Sequence, residues 1–245
     1  MSRFTPFFFL CVPMILGSGL LARAFEQLHE DGRVLVFASG VSNSSTAREA
    51  DYDRERNLLL EQRGTKARLV YFSTCSLFDP LLGNAGYIRH KLRMEELIRQ
   101  RFPDHLILRL PNVVGHTPNP HTLCNHIRNC ILAGRTLAVQ TKACRYIMGV
   151  DLVAEACTPL ITAAKLCENT VNVCLDQPVP VPELVGAMEQ LLQAKAKVQE
   201  VDSGSCYAVD NGPFKQSWRA RAVRPWPTAD YWRGMLASYY GDRAN

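Results

Sequence analysis

The amino-acid sequence predicts a doubly wound α/β fold, a parallel sheet with helices on both faces, shortened in its first half and followed by a small irregular C-terminal cap. Three observations predict it. Short continuous apolar runs alternate with helical patterns along most of the chain, which is the signature of parallel strands joined by crossover helices. The first of those runs passes directly into a glycine turn, Gly17-Ser18-Gly19, that opens a helix. A later helix begins on Tyr87 and carries Lys91 one turn on, so the two side chains share a helix face.

Taken in order, strands are expected at residues 11–16, 33–38, 68–73, 105–110 and 170–174. Helices are expected at 20–30, 47–62, 87–101, 121–132, 152–166 and 181–194. The strands are rich in Val, Leu and Ile without polar alternation, as strands are when both faces are covered. Parallel pairing requires crossovers, and these are expected to be right-handed. Leu123, Ile127 and Ile131 form an apolar stripe assigned to the core. After Asp176 the pattern weakens into "QPVPVPEL" and a Trp- and Arg-containing tail. The expected division is a nucleotide-binding core over 1–115 and 146–175, with a cap over 116–145 and 176–245.

The first 25 residues have two readings. A basic start, an apolar run and the "ARA" at 22–24 imitate a secretory leader. Pro6 and Pro13 interrupt the run, however, and a secreted chain with nine unpatterned cysteines is awkward. The strand reading is preferred because the glycine turn needs a strand before it. The run is too interrupted to span a membrane.

With 245 residues, 47% of them hydrophobic and 21% charged, the chain can bury a sizeable core and is neither fibrous nor disordered. Its net charge of +5 is too thin for a nucleic-acid face but suits a phosphate-bearing ligand. The cysteines include no C-x-x-C and scatter through apolar segments, so reduced, buried thiols in a cytoplasmic protein are expected. His116, His121 and His126 lie near Cys124 and Cys130 but at no usual zinc spacing, so no metal is expected.

Ligands of such sheets bind beyond the carboxyl ends of the strands, and the chemistry-bearing residues gather there. Gly17 and Gly19, with Leu20 and Ala22 behind them, form G-x-G-x-x-A, a turn that admits a pyrophosphate to helix N–H groups. Ala38, Ser39 and Gly40 end the second strand with side chains small enough to leave room for a cofactor. Ser73 and Thr74 end the third and are expected to aim hydroxyls at the crevice. A free phenol has a pKa near 10. The Lys91 ammonium is expected to lower that of Tyr87 and make proton exchange with a substrate hydroxyl feasible.

In this order, Gly17-x-Gly19-x-x-Ala22, Ser73-Thr74, Tyr87-x-x-x-Lys91, "RLPNVVG" (109–115) and "RYIMGVDLV" (145–153) resemble the extended short-chain dehydrogenases/reductases. Within them the nearest likeness is to the nucleotide-sugar epimerase/dehydratase branch. The resemblance spans roughly residues 12–190 and implies a Rossmann-like fold, NAD or NADP as cofactor and a nucleotide-sugar substrate, with a homodimer open. It implies that Thr74, Tyr87 and Lys91 are the catalytic hydroxyl, acid/base and supporting cation, with Lys91 also bonding the nicotinamide ribose. The cofactor would rest on Gly17, Gly19, Leu20, Ala38, Ser39, Gly40, Ser73, Pro111, Asn112 and Val113. The substrate would meet Thr74, Cys75, Asn112 and Arg145, whose planar fork suits a pyrophosphate.

Two departures matter. Only one strand lies between the glycine helix and the "ASG" strand end, so the family's second and third strands are inferred to be missing, and no ribose-reading acid can be assigned. Where dehydratases carry an Asp-Glu pair, this sequence has Cys75 and Ser76, which disfavours dehydration. An epimerase-type reaction is the first expectation. A sugar-nucleotide 4-keto reductase is the close second, because "STCSLFD" is similar to the S-T-x-x-V-F-D of such reductases. A non-catalytic cofactor sensor or docking protein of the same fold is the third. Trp218, Trp226 and Trp232 with Arg219, Arg221 and Arg224 are read either as a nucleobase platform or, preferably, as a solvated rim.

Overall fold

The computed structural model of the chain describes residues 14–42, 48–165, 168–221 and 225–241. The N-terminal segment before Met14, with its leader-or-strand question, and Arg224 lie outside them. A central parallel sheet runs in the order β1 (Ile15–Leu16), β2 (Val34–Phe37), β3 (Arg68–Thr74), β4 (His105–Leu110) and β9 (Thr170–Asn172). The helices that serve it are α1 (Leu20–Ala24), α2 (Glu49–Glu61), α3 (Gly86–Arg101), α5 (Val150–Ile161) and α7 (Gly212–Arg221).

Each strand is apolar on both sides, and alternate residues enter different cores. Val34, Val36, Val70, Phe72, Leu106 and Leu108 pack with Phe25 behind α1, with Leu152 and Cys157 of α5 and with Phe214 and Trp218 of α7. Leu35, Phe37, Leu69, Tyr71 and Ile107 pack on the opposite face with Leu59 of α2 and Met94 and Ile98 of α3. This period-2 division is what a strand buried on both faces produces.

The winding is irregular where the chain crosses on the α5 face, by α1 before β2 and by α5 before β9. From β1 to β4 the chain advances one strand at a time in a single direction. The α1 connection crosses on the α5 face, whereas α2 and α3 cross on the other. Equal direction on opposite faces means that the α1 crossover has the hand opposite to the two that follow. Parallel crossovers are right-handed in about 98% of cases. A regular hand for α1 on this face would need the next strand on the far side of β1, where the missing pair of strands would lie. The expectation that every crossover is right-handed is therefore corrected, and the inference of a shortened half gains a physical reason.

A second core forms around α4 (Leu123–Leu132), α6 (Val181–Leu192) and α8 (Tyr231–Tyr240). It also takes residues from β5 (Asn112–Val114), β6 (Thr136–Gln140), β8 (Ile147–Gly149) and β10 (Val179–Pro180). Ile127 and Ile131 are buried in it, with Leu123 packed against them. The segment after Asp176 is more regular than expected, and α7 belongs to the sheet's core and not to the cap. Trp218 and Trp232 are buried core residues, which removes them from any nucleobase platform; Trp226 packs edge-on against Phe214 and Trp218. Three small ladders complete the fold, β5 with β8, β7 (Cys144–Arg145) with β10 and β11 (Lys197–Val201) with β6. Among the described residues no helix is long and apolar enough to cross a membrane.

Gly17 fixes how the first strand meets the second. Its φ of +126° suits glycine, and a methyl group there would lie 2.5 Å from the Ala38 carbonyl oxygen. Gly17→Ala is expected to lower the stability of the chain by about 1–3 kcal/mol, read as a fall in the urea midpoint at unchanged slope.

Candidate active site

Because the sheet is parallel, the turns after β1, β2, β3 and β4 share one edge. Gly17, Ala38–Gly40, Thr74 and Pro111–Val113 therefore line up there. The helix α3 starts beside them. Its first turn places Tyr87 beside Thr74, whose hydroxyl favours the ionised phenol. Lys91, one turn on, lies 5.9 Å from the Tyr87 ring centre. A methyl group at Gly40 would lie 3.0 Å from Lys91 Nζ. The glycine turn, the "ASG" strand end and the Thr74–Tyr87–Lys91 group thus form one continuous set of contacts.

What holds Lys91 was not foreseen. The side chain is 3% exposed, and its ammonium donates to Glu55 Oε1 and to the Tyr71 hydroxyl, each at 3.0 Å, with the Phe72 carbonyl at 3.5 Å. Glu55 itself is fully buried on α2. It also accepts from Tyr71 Oη at 2.6 Å and from the Val41 N–H at 2.6 Å, and it lies 3.0 Å from His90 Nε2. A carboxylate only accepts, so that imidazole nitrogen carries the proton. Burial disfavours the ionised carboxyl, but Lys91 and these donors overcome it and hold the Glu55 pKa down at about 2. His90 is clamped from the other side by stacking on Tyr52, 4.5 Å between ring centres.

This cluster corrects the expected electrostatics of Tyr87. Burial raises its pKa above the ordinary 10, Lys91 pulls it down, and Glu55 pushes it up again; the net direction is upward. The phenol is held protonated at neutral pH.

The other predicted residues divide. Ser73 turns away from the crevice and donates to Glu95 at 2.7 Å; Glu95 is fully buried and pairs with Arg109 at 2.6 Å and Arg99 at 2.8 Å. Cys75 points inward against the Arg109 carbonyl at 3.1 Å and against Cys174, with its thiol pKa well above the usual range. Neither faces the crevice, contrary to expectation. Leu20 packs beneath Gly115, where a methyl group would come 2.9 Å from Leu20 Cδ1. It also lines a cleft of about 350 Å³ with Arg23, His116, Asp151 and Tyr239. Gly19 stands in open space, and Ser39 is covered by Arg54, whose guanidinium donates to its hydroxyl at 3.2 Å and its carbonyl at 3.1 Å. Asn112 spends its side-chain amide on the Tyr146 carbonyl at 3.1 Å, and Val113 packs against the sheet's core.

Arg145 is partly buried, 3.5 Å from the buried Asp79 and 2.8 Å from the Cys144 carbonyl. Beside it the Tyr207 phenol is pushed up to about 12 by burial. The loop carrying Tyr207 is tied down by a disulfide between Cys144 and Cys206, 62 residues apart. That bond corrects the expectation of uniformly reduced thiols; Cys75, Cys124, Cys130, Cys157 and Cys174 are free and buried as expected, and Cys11 and Cys167 lie outside the described residues.

No protein-family model matches the sequence, and no curated protein does. Solved structures do match in three dimensions. A dTDP-glucose 4,6-dehydratase from Bacillus anthracis in complex with NAD is 16% identical, over 92% of this chain and 78% of that one, with a TM-score of 0.64. A UDP-glucose 4-epimerase from Thermus thermophilus in complex with NAD is 17% identical over 91% and 83%, also at 0.64. The chain has the fold of these enzymes. A dTDP-4-dehydrorhamnose reductase from B. anthracis in complex with NADP matches equally, at 15% identity over 90% and 84% with a TM-score of 0.64.

Glu55 was missed because one Glu among the Arg and Asp of a polar-looking helix, "EADYDRERNLLLE", reads as a solvated face. Its only sequence signal is position: Tyr52, Glu55 and Leu59 fall on one helical stripe, and all three are buried.

Removing Glu55 leaves a buried ammonium without a counter-charge. Glu55→Ala is expected to lower stability by about 3–5 kcal/mol. Glu55 and Glu95 both titrate below their ordinary 4.5 in the folded chain. Their stabilisation is therefore complete above about pH 4.5 and is lost as pH falls from there towards 2; denaturant midpoints measured across that window should fall steadily. Cys206→Ser, or reduction of the wild type, is expected to cost about 2–4 kcal/mol, checked by the shift in thermal midpoint with and without dithiothreitol.

Proposed function

We propose that the chain is an NAD(P)-dependent oxidoreductase that acts on a nucleotide-activated sugar, with Tyr87 as its acid/base. The observation that supports it most is the placement of Tyr87 beside Thr74 at the carboxyl edge of the sheet, with Gly17, Gly40 and Lys91 around it. A dinucleotide fits the residues there in part. Gly17 brings the first turn against β2, and Gly19 leaves open space at the start of α1, whose N-cap has no side-chain hydrogen bond. Among the described residues no acid that reads an adenosine ribose can be assigned beside them. Lys91 has all three N–H groups on protein acceptors, and the longest contact, to the Phe72 carbonyl, is the one a ribose hydroxyl would replace. The solved structures of like fold include an epimerase with NAD and a reductase with NADP, in keeping with this reading.

When bound, the nicotinamide accepts or supplies a hydride. The chain's residues handle the proton and the alignment. Thr74 donates to the oxygen of Tyr87 and orients it, and Tyr87 exchanges a proton with the sugar's hydroxyl or carbonyl oxygen. Arg145, steadied by Asp79, offers a cation to the pyrophosphate. Cys75 and Ser76 supply no carboxyl group with which to expel a hydroxyl, so the reaction ends at oxidation–reduction or epimerisation.

Isothermal titration with NAD and with NADP tests the first part: binding of at least one is expected, and no heat from either at millimolar concentration would end the enzyme reading. On a turned-over sugar nucleotide, Tyr87→Phe is expected to lower kcat by about 10²–10⁴-fold. Full turnover by that variant would exclude Tyr87 as the acid/base.

A further inference from the structure

The buried group around Glu55 has no part in the reading above beyond seating Lys91, yet its geometry bears on which way the reaction runs. We infer that Glu55 is a positioning residue that cancels the charge of Lys91 beneath Tyr87, so that Tyr87 rests as a proton donor and the site is built to reduce a carbonyl. This deepens the proposed function and rests on it.

The geometry supports the inference from both sides. An ammonium alone beneath Tyr87 would draw the phenol towards phenolate, the form that removes a proton from an alcohol. Here the ammonium is paired at 3.0 Å with a carboxylate that no solvent reaches, so the two charges present a dipole and not a cation. The groups facing Tyr87 are few. Its own helix supplies Lys91, α2 supplies Glu55 and Tyr52, and β3 supplies Thr74 and Tyr71; His90 turns to Glu55 and Tyr52. Glu55 carries the negative charge of the set, and it sits where it touches Lys91, Tyr71 and His90 at once. Glycine at position 40 makes room for the pair, since a methyl group there would lie 3.0 Å from Lys91 Nζ and 3.1 Å from Glu55 Oε1.

The step this favours balances simply. A reduced nicotinamide, when bound, would supply hydride to the sugar's carbonyl carbon; the C=O electron pair would move to oxygen, and that oxygen would take the proton of Tyr87. The phenolate left behind is reprotonated from water. A protonated Tyr87 at rest suits this direction, whereas an alcohol oxidation must begin from the phenolate.

The test reads Tyr87 directly, without cofactor or substrate. The ultraviolet phenolate band of the full chain is titrated with pH, and Tyr87 is isolated as the difference between each protein and the same protein carrying Tyr87→Phe. The wild-type component is expected above pH 10. In Glu55→Gln it should fall by a unit or more, a tenfold or larger change in the ionisation constant. In Glu55→Gln/Lys91→Met, which removes both charges and is expected to fold because no unpaired charge stays buried, it should return to within about half a unit of wild type. An unmoved midpoint in Glu55→Gln, or a rise of more than a unit in the double variant, would overturn the inference. If Glu55→Gln does not fold, the double variant decides alone by the same margins. Cofactor binding to the wild type is measured separately, so its absence would sink the enzyme reading without moving this titration.

Discussion

A buried carboxylate, Glu55, held against a buried ammonium, Lys91, is the interaction on which the site depends. Taking both charges out of water is costly, and their attraction offsets that only when the remaining hydrogen-bonding capacity is also met. Here it is met. Tyr71 and Val41 complete the carboxylate, His90 adds a further donor, and Tyr71 and Phe72 complete the ammonium. Because α2 supplies Glu55, β3 supplies Tyr71 and Phe72, and α3 supplies His90 and Lys91, the cluster locks three elements into one register. Tyr87, one turn before Lys91, inherits its place from that lock.

A second buried pair repeats the design a turn further along α3. Glu95 takes Ser73, Arg99 and Arg109, and so fastens the same helix to β3 and β4. The two Glu-centred networks explain why Ser73 and Thr74, adjacent in sequence, do different work. Successive strand residues point to opposite faces: Ser73 meets the glutamate of α3, and Thr74 is left at the strand end for Tyr87. They also fix the helix so that its phenol reaches the sheet edge.

Much of this was legible in the residues. Continuous apolar runs marked four of the five central strands to within a residue or two, and the first in its described part, because burial on both faces leaves little else for a strand to be. Helix α3 was legible from its periodicity, and the convergence of the glycine turn, Thr74, Tyr87 and Lys91 followed from parallel strands placing their ends on one edge. The short pairs β7–β10 and β6–β11 were not legible, since strands of two to five residues with exposed positions carry no distinctive period. The Cys144–Cys206 bond was not legible either; partners 62 residues apart become neighbours only when a loop folds back over β7.

Sequence by itself therefore determined the class of fold, the order of its parts and which turns meet at the sheet's carboxyl edge, because hydrophobic period and turn chemistry are local properties. Tertiary structure decided the rest: the hand of the α1 crossover, the inward turn of Ser73 and Cys75, and the state of Tyr87. A charge acts through distance and dielectric. The nearest opposing charge to Lys91 lies 36 residues away in the chain and 3.0 Å away in space, and no reading of spacing along one helix could have found it.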